Sequence, residues 1–312
     1  MRTTFITGLL ISALAVTARA DIYEMPPDGF DVIGAVSTIT ARHEDTLVDI
    51  ARRHGLGYED IVRANPDLNP WLPGEGAEVV LPTRFILPPG PREGVVLNLA
   101  EYRLYFYPKP KPGERAYVMT YPISIGRMDW ETPLGLTEII SKVVDPAWYP
   151  PKSVREEHAA DGDPLPAIVP PGPDNPLGRF AMRLSMPGYL IHSTNRPAGV
   201  GMRVSHGCIR MFPEDIEFLF DRIDVSTKVR IINEPLKLGW SGDALVMESH
   251  PLLEERDKDP LTSVTELYIA ATGERDAKLD WHLAEDVVDQ SNGIPVRVGS
   301  GNKNAATSAA SE

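Results

Sequence analysis

The chain has 312 residues, 24% of them charged, and a formal net charge of −13. That length accommodates two or three domains and at least one substantial core. The acidic balance excludes a partner held mainly through phosphates, so nucleic acid is not expected. A single cysteine, Cys208, excludes a disulfide within the monomer.

The first twenty residues read as an export signal. Arg2 gives a basic start, residues 5–16 an apolar run, and Ala18-Arg19-Ala20 a small-x-small site with cleavage expected after Ala20. The apolar run is too short for a membrane span, which needs roughly 20 residues. An unpaired thiol carried into an oxidising compartment is open to oxidation, so its retention favours chemistry.

A Pro/Gly leader over 21–34 precedes a small α/β unit over 36–82. Leu47, Ile50 and Ala51 recur at i, i+3 and i+4, predicting a helix over 46–54 that Asp45 caps. A second helix over 59–64 stops at Asn65-Pro66, and residues 79–81 close the unit as a strand after the Pro73-Gly74 turn. A Pro-rich linker over 87–92 is expected to separate this βααβ unit from the next.

Beyond Gly94 the texture turns to strands. Val95, Leu97 and Leu99 alternate with Val96 and Asn98, and residues 102–107 alternate again, predicting a hairpin around Ala100-Glu101. Strands over 117–125 and 136–144 follow, the second after the tight Thr132-Pro133-Leu134-Gly135 turn. Residues 145–178 hold nine prolines, which argue against a central strand or a long helix. Trp148, Tyr149, Ile168 and Val169 argue against disorder, so we read an ordered loop over a cleft; composition equally allows a surface excursion with no role at a site.

Strands over 180–185 and 189–192 put His192 at a strand end. Pro213 then opens a helix at its first position, with Ile216, Leu219, Phe220 and Ile223 in one stripe. The N-terminus of that helix is expected to face Cys208 and favour its thiolate. Residues 229–232 complete the sheet. Residues 234–298 read as a small α+β subdomain: strands over 244–247 and 295–298, a helix bearing Leu261, Val264, Leu267, Tyr268 and Ala271, and another over 281–288. The tail, 299–312, is expected to be disordered.

The chemistry gathers in residues 191–211, which hold two of seven histidines and the only cysteine. A cysteine nucleophile needs a base, a group that orients the base, and donors for the oxyanion. His192, sixteen residues before Cys208, is the candidate base. His206 shapes the loop or contacts substrate, and Gly207 lets the backbone pass close to a ligand and frees amides, that of Cys208 included, for an oxyanion hole. Arg210 can grip a substrate carboxylate as a fork or steady the loop. Two rival readings stand beside this one: a buried structural cysteine, and a zinc site of His192, His206, Cys208 and water. The close spacing of His206 and Cys208 counts against zinc.

Two stretches carry family resemblances. Residues ITARHEDTLVDIARRHGL, followed by Asn65-Pro66 and PGEGAEVVLP, resemble a LysM module, although Glu44 stands where that family has a turn glycine. His192, the string Ser205-His206-Gly207-Cys208-Ile209-Arg210-Met211, Thr132-Pro133-Leu134-Gly135 and IVPPGPDNPLG together resemble the YkuD-type L,D-transpeptidases over 94–233. Within them the chain is most like the enterobacterial group that attaches Braun's lipoprotein to peptidoglycan; Ser193-Thr194 replaces the commoner Gly-Thr.

The resemblance implies a mainly β catalytic domain of sandwich or barrel form, a LysM module that binds the glycan of peptidoglycan, and a periplasmic location. It implies a cysteine acyltransferase that needs no cofactor and no metal. Cys208 would attack the L-centre carbonyl of diaminopimelate in a tetrapeptide stem and expel D-alanine, and an amine would resolve the thioester. In this group the amine is the C-terminal lysine of the lipoprotein; in sister enzymes it is a second diaminopimelate, giving a 3-3 cross-link. His192 would be the base, oriented by the carbonyl of Ser193, while Ser205, His206, Gly207 and Arg210 would frame substrate and loop. Carbapenems would acylate the same thiol. Three alternatives stay open: an L,D-carboxypeptidase, an amidase that detaches the lipoprotein, and a wall-binding protein without catalysis.

Overall fold

In the computed structural model the described residues are 21–253, 260–273 and 275–301. The expected export signal and residues 302–312 of the expected tail lie outside them. Among the described residues no helix is long and apolar enough to cross a membrane.

The leader forms two strands, β1 (Asp21–Glu24) and β2 (Val32–Gly34). The small unit follows as β3 (Ser37–Thr40), α1 (Leu47–Arg53), α2 (Tyr58–Ala64) and β4 (Glu78–Leu81), with β3 and β4 paired antiparallel. Leu47, Ile50 and Ala51 are buried, as their spacing predicts. The α1 cap differs from expectation. Thr46 holds the extended backbone directly before the helix, and its hydroxyl accepts the Asp49 N–H at 3.0 Å. Asp45, one residue too early, accepts the Arg42 N–H at 2.9 Å and pairs with Arg53 at 2.7 Å. β5 (Arg84–Ile86) then pairs with β2.

The main sheet begins with the antiparallel meander β6 (Gly94–Asn98), β7 (Arg103–Tyr107) and β8 (Tyr117–Pro122). The strand expected over 117–125 breaks after Pro122, and β9 (Ile125–Gly126) leaves to pair elsewhere. Then come β10 (Gly135–Val144), α3 (Lys152–Ala160), β11 (Phe180–Leu184), β12 (Leu190–His192), β13 (Arg203–Ser205), β14 (Ile209–Arg210), α4 (Pro213–Phe220) and β15 (Lys228–Ile232). Nine strands run in the order β1-β8-β7-β6-β15-β10-β11-β12-β14. β15 joins β6 in parallel and β14 joins β12 in parallel, while β1 extends the edge beyond β8. The expectation of a mainly β domain holds at this level. Helix α3 lies inside the proline-rich segment because its prolines stand outside the helix: Pro151 occupies the N-cap and the interior has none.

Both faces of β6, β7 and β8 are buried, which shapes the whole molecule. Val95, Leu97, Leu104, Phe106, Met119 and Tyr121 face a core closed by α4 through Ile216, Leu219 and Phe220. On the other face Val96, Tyr105, Tyr107 and Val118 share a core with Leu47, Ile50, Leu56, Ile61 and Phe85. Residues 87–92 therefore connect the small unit without separating it from the sheet. Arg103, 1% exposed, reaches across that boundary to Asp60 at 2.5 Å and lies over the Phe85 ring.

The C-terminal part adds β16 (Leu236–Ser241), β17 (Ala244–Ser249), α5 (Pro260–Thr272), β18 (Ala277–Leu279), α6 (Trp281–Gln290) and β19 (Val296–Gly301). Its four strands run β16-β17-β19-β18. β19 extends past the expected start of the tail because Gly299 and Gly301 pair with Leu279 and Ala277 of β18.

Candidate active site

The parallel pairing of β12 with β14 builds the site. Ile191 lies opposite Ile209 and His192 opposite Arg210. Both isoleucines face the core, so by the alternation of strand side chains His192 and Arg210 share the other face. Cys208, one pleat before Arg210, projects to that same face. The structure thus brings His192, Cys208 and Arg210 together on one side of the sheet edge.

Each group has a distinct environment. The Cys208 thiol, half-buried, contacts the Gly188 carbonyl at 3.7 Å. Burial pushes its pKa up, partly countered by the Leu190 amide and the Arg210 charge. Burial thus opposes the thiolate that the N-terminus of α4 is expected to favour. His192 is 3% exposed, and its Nδ1 lies 2.6 Å from the Ser193 carbonyl. Burial, then the neighbouring Arg210 charge, lower its pKa to about 3, against the pull of the Ser193 and Leu177 carbonyls. It is therefore neutral near pH 7. Arg210 is pushed down chiefly by burial, its Nε has no hydrogen-bond partner, and among the described residues no carboxylate pairs with it.

The loop before Cys208 is pinned from beneath. Ser205 Oγ donates to the Cys208 carbonyl at 2.5 Å and accepts the Gly207 N–H at 3.2 Å. Gly207 is at φ +97°, and a Cβ there would lie 2.9 Å from the Tyr189 ring. Its amide is spent inside the loop, which corrects its expected part as an oxyanion donor; the Cys208 amide has no partner among the described residues and is left to serve. Thr132 Oγ1 donates to the Gly207 carbonyl at 2.8 Å while accepting the Gly126 N–H at 3.1 Å. The zinc alternative fails on geometry. Among the described residues the histidine, cysteine and acidic groups that converge closely enough for an ion do not include His192, His206 and Cys208 together.

His206 is held by α3 and the turn before β10. Its Nε2 lies 3.0 Å from Glu157 of α3, and Glu157 also pairs with Arg127. Trp130 stands edge-on at 5.2 Å and His158 at 6.5 Å between ring centres. The proline-rich segment therefore reaches the site, through a helix that proline content hides. Glu157, Arg127 and Trp130 are the neighbours that sequence reasoning missed. No local pattern signals them, since Glu157 is 49 residues from His206. Thr132 was visible only as part of a tight turn.

An imidazole, a thiol and a guanidinium without a carboxylate partner on one sheet edge are groups that acyl transfer through a thioester can use. Residues 92–231 match the family model of the YkuD L,D-transpeptidase catalytic domain. The chain is 39% identical over 303 residues to the probable L,D-transpeptidase YcfS of Escherichia coli K12, covering 95% of this chain and 93% of that protein. It is 36% identical over 309 residues to the probable L,D-transpeptidase YbiS of the same strain, covering 96% and 98%. Among solved structures, L,D-transpeptidase 3 from Mycobacterium tuberculosis with a faropenem-derived adduct aligns at 20% identity and a TM-score of 0.33, over 65% of this chain and 92% of that one. The chain belongs to the YkuD L,D-transpeptidase family.

Proposed function

We propose that the chain transfers an acyl group from a peptidoglycan tetrapeptide stem to an amine through a thioester on Cys208. The observation that carries this reading is the shared face of His192, Cys208 and Arg210, with a guanidinium that has no carboxylate of its own. Arg210 is half-buried with its Nε enclosed and unbonded; such a cation without a counter-charge carries a desolvation cost, and a substrate carboxylate would relieve it. The stem supplies such carboxylates.

The resting charges define the first step. With the imidazole pKa lowered and the thiol pKa raised, a thiolate–imidazolium pair is not populated before substrate arrives. The thiol loses its proton to His192 as its sulfur bonds to the diaminopimelate carbonyl, and the Cys208 amide faces the developing oxyanion. Collapse breaks the C–N bond to D-alanine, whose amine takes the proton from His192. The neutral acceptor amine then bonds to the thioester carbon, the C–S bond breaks, and the proton lost by the nitrogen ends on the Cys208 sulfur. The acceptor is the C-terminal lysine of a Braun-type lipoprotein; a second diaminopimelate or water would give a cross-link or a trimmed stem instead.

The unit over 36–82 acts as a LysM glycan holder. The observation in support is an exposed apolar rim of Trp71 and Leu72, with Tyr58 6.4 Å from the Trp71 ring, a surface suited to stacking against sugar. The first twenty residues direct the chain to the periplasm. Muropeptides bearing tetrapeptide stems, incubated with the protein and an Nα-acetyl-lysine peptide, test the reading by mass spectrometry. The expected products are D-alanine and the stem joined to the lysine side chain, both lost in Cys208→Ala. Release of D-alanine by that variant would refute the mechanism.

A further inference from the structure

Resolution of the thioester requires something that acylation does not. An alkyl amine arrives as ammonium, with a pKa near 10.4 for a lysine side chain, and must shed a proton before its lone pair can attack. His192 is poorly suited to that task, being 3% exposed with its Nδ1 against the Ser193 carbonyl. A second imidazole, that of His206, stands on the loop that carries the nucleophile.

We propose that Glu157 and His206 form a second acid–base pair, in which His206 Nδ1 takes the proton of the acceptor amine while Glu157 positions and supports the ring. The inference rests on the transpeptidase reading above and assigns the division of labour within it. Three observations carry it. His206 lies two residues before Cys208 on a loop whose Ser205 hydroxyl is bonded to the Cys208 carbonyl, so ring and sulfur belong to one braced unit. Its Nε2 is committed to Glu157 at 3.0 Å, while Nδ1 has no partner among the described residues. Its side chain is 23% exposed, open to an incoming amine, whereas His192 is enclosed.

The surroundings fit a neutral ring that can be charged. Burial lowers the His206 pKa, the Glu157 hydrogen bond opposes this, and the charges of Arg127 and Arg210 lower it further. The groups that face it are Glu157 and His158 from α3, Arg127 and Trp130 from the turn between β9 and β10, and Arg210 from β14. Glu157 itself is held ionised, first by Arg127 and also by His206. The step balances: the ammonium releases one proton to solvent, the neutral amine nitrogen bonds to the thioester carbon as its next proton passes to Nδ1, the C–S bond breaks, and the departing sulfur takes that proton from His206.

The test separates the two half-reactions in the full-length protein. Acyl-enzyme is formed with a tetrapeptide muropeptide, and its decay is followed by mass spectrometry after addition of an Nα-acetyl-lysine peptide, across pH. General-base assistance contributes roughly 10²–10⁴-fold. Glu157→Gln should therefore lower aminolysis at least about tenfold relative to acylation, move the ascending limb of its pH profile to lower pH, and be partly rescued by Glu157→Asp. Arg127→Gln removes a charge that opposes the imidazolium, so it should move the same limb to higher pH. Opposite shifts from two neighbouring substitutions are not produced by general disorder. Parallel losses of acylation and aminolysis, or a limb that stays in place in both variants, would overturn the proposal. A wild-type protein that forms no acyl-enzyme would overturn the transpeptidase reading instead.

Discussion

Two regions of the molecule enclose charge and treat it differently. At the junction of the small unit, the sheet and the C-terminal part, Lys237 is 2% exposed, yet its ammonium meets Glu101 at 2.8 Å, Glu248 at 2.9 Å and the Ile86 carbonyl at 2.5 Å. The carboxylates are satisfied in turn. Tyr105 and Asn98 donate to Glu101, and the Ile86 N–H and His250 bond to Glu248. Glu101, Glu248 and His250 form the cluster compact enough for an ion, and the lysine ammonium already bonds both carboxylates. At the edge formed by β12 and β14, by contrast, Arg210 keeps an orphaned Nε and His192 is held neutral. A fully paired network joins parts of the fold, whereas an unpaired one is complete only with a ligand.

That contrast breaks if the two regions respond alike to mutation. Lys237→Met strands two buried carboxylates, so it should cost about 3–5 kcal/mol in urea denaturation, with the activity of the remaining folded fraction retained. At the other region, His192 has a folded pKa of about 3 against an ordinary 6.5. Between those values the unfolded chain binds the extra proton, so this stability is fully present above about pH 6.5 and is lost as pH falls toward 3. Between pH 7 and 4.5 the loss should be on the order of 3 kcal/mol, and His192→Asn should remove it from the urea curves. Arg210→Met should leave stability unchanged or slightly raised while kcat/KM for the tetrapeptide stem falls about 10–100-fold, the reverse of Lys237→Met. The smallest effect involves neither set of charges: Thr46→Ala removes the α1 cap and should cost about 1 kcal/mol by thermal denaturation.

What the sequence made legible was local. The β6–β7 hairpin, the α4 stripe opened by Pro213 and the crowding of His206, Gly207 and Arg210 around Cys208 depend on neighbours a few residues apart, where periodicity and turn chemistry act. What it concealed was long-range. Asp21 pairs with Thr120, placing the leader on the edge of the main sheet. The small unit shares its core with Tyr105 and Tyr107, so the proline-rich connection does not make it a tethered module. Glu157 reaches His206 only after the sheet has folded. Proline count misled over 145–178 because a helix tolerates proline at its ends, and Asp45 misled because an arginine eight residues on competes for its carboxylate. The upward push on the thiol was hidden as well, since burial of Cys208 is a tertiary property.

Locating the covalent intermediate tests the account most directly. The protein would be quenched in acid during turnover with tetrapeptide muropeptides, digested and sequenced by mass spectrometry. A stem shortened by D-alanine and attached to the peptide containing Cys208 is the predicted result, with no adduct elsewhere. An adduct on another residue, or D-alanine release with Cys208 unmodified throughout turnover, would contradict it.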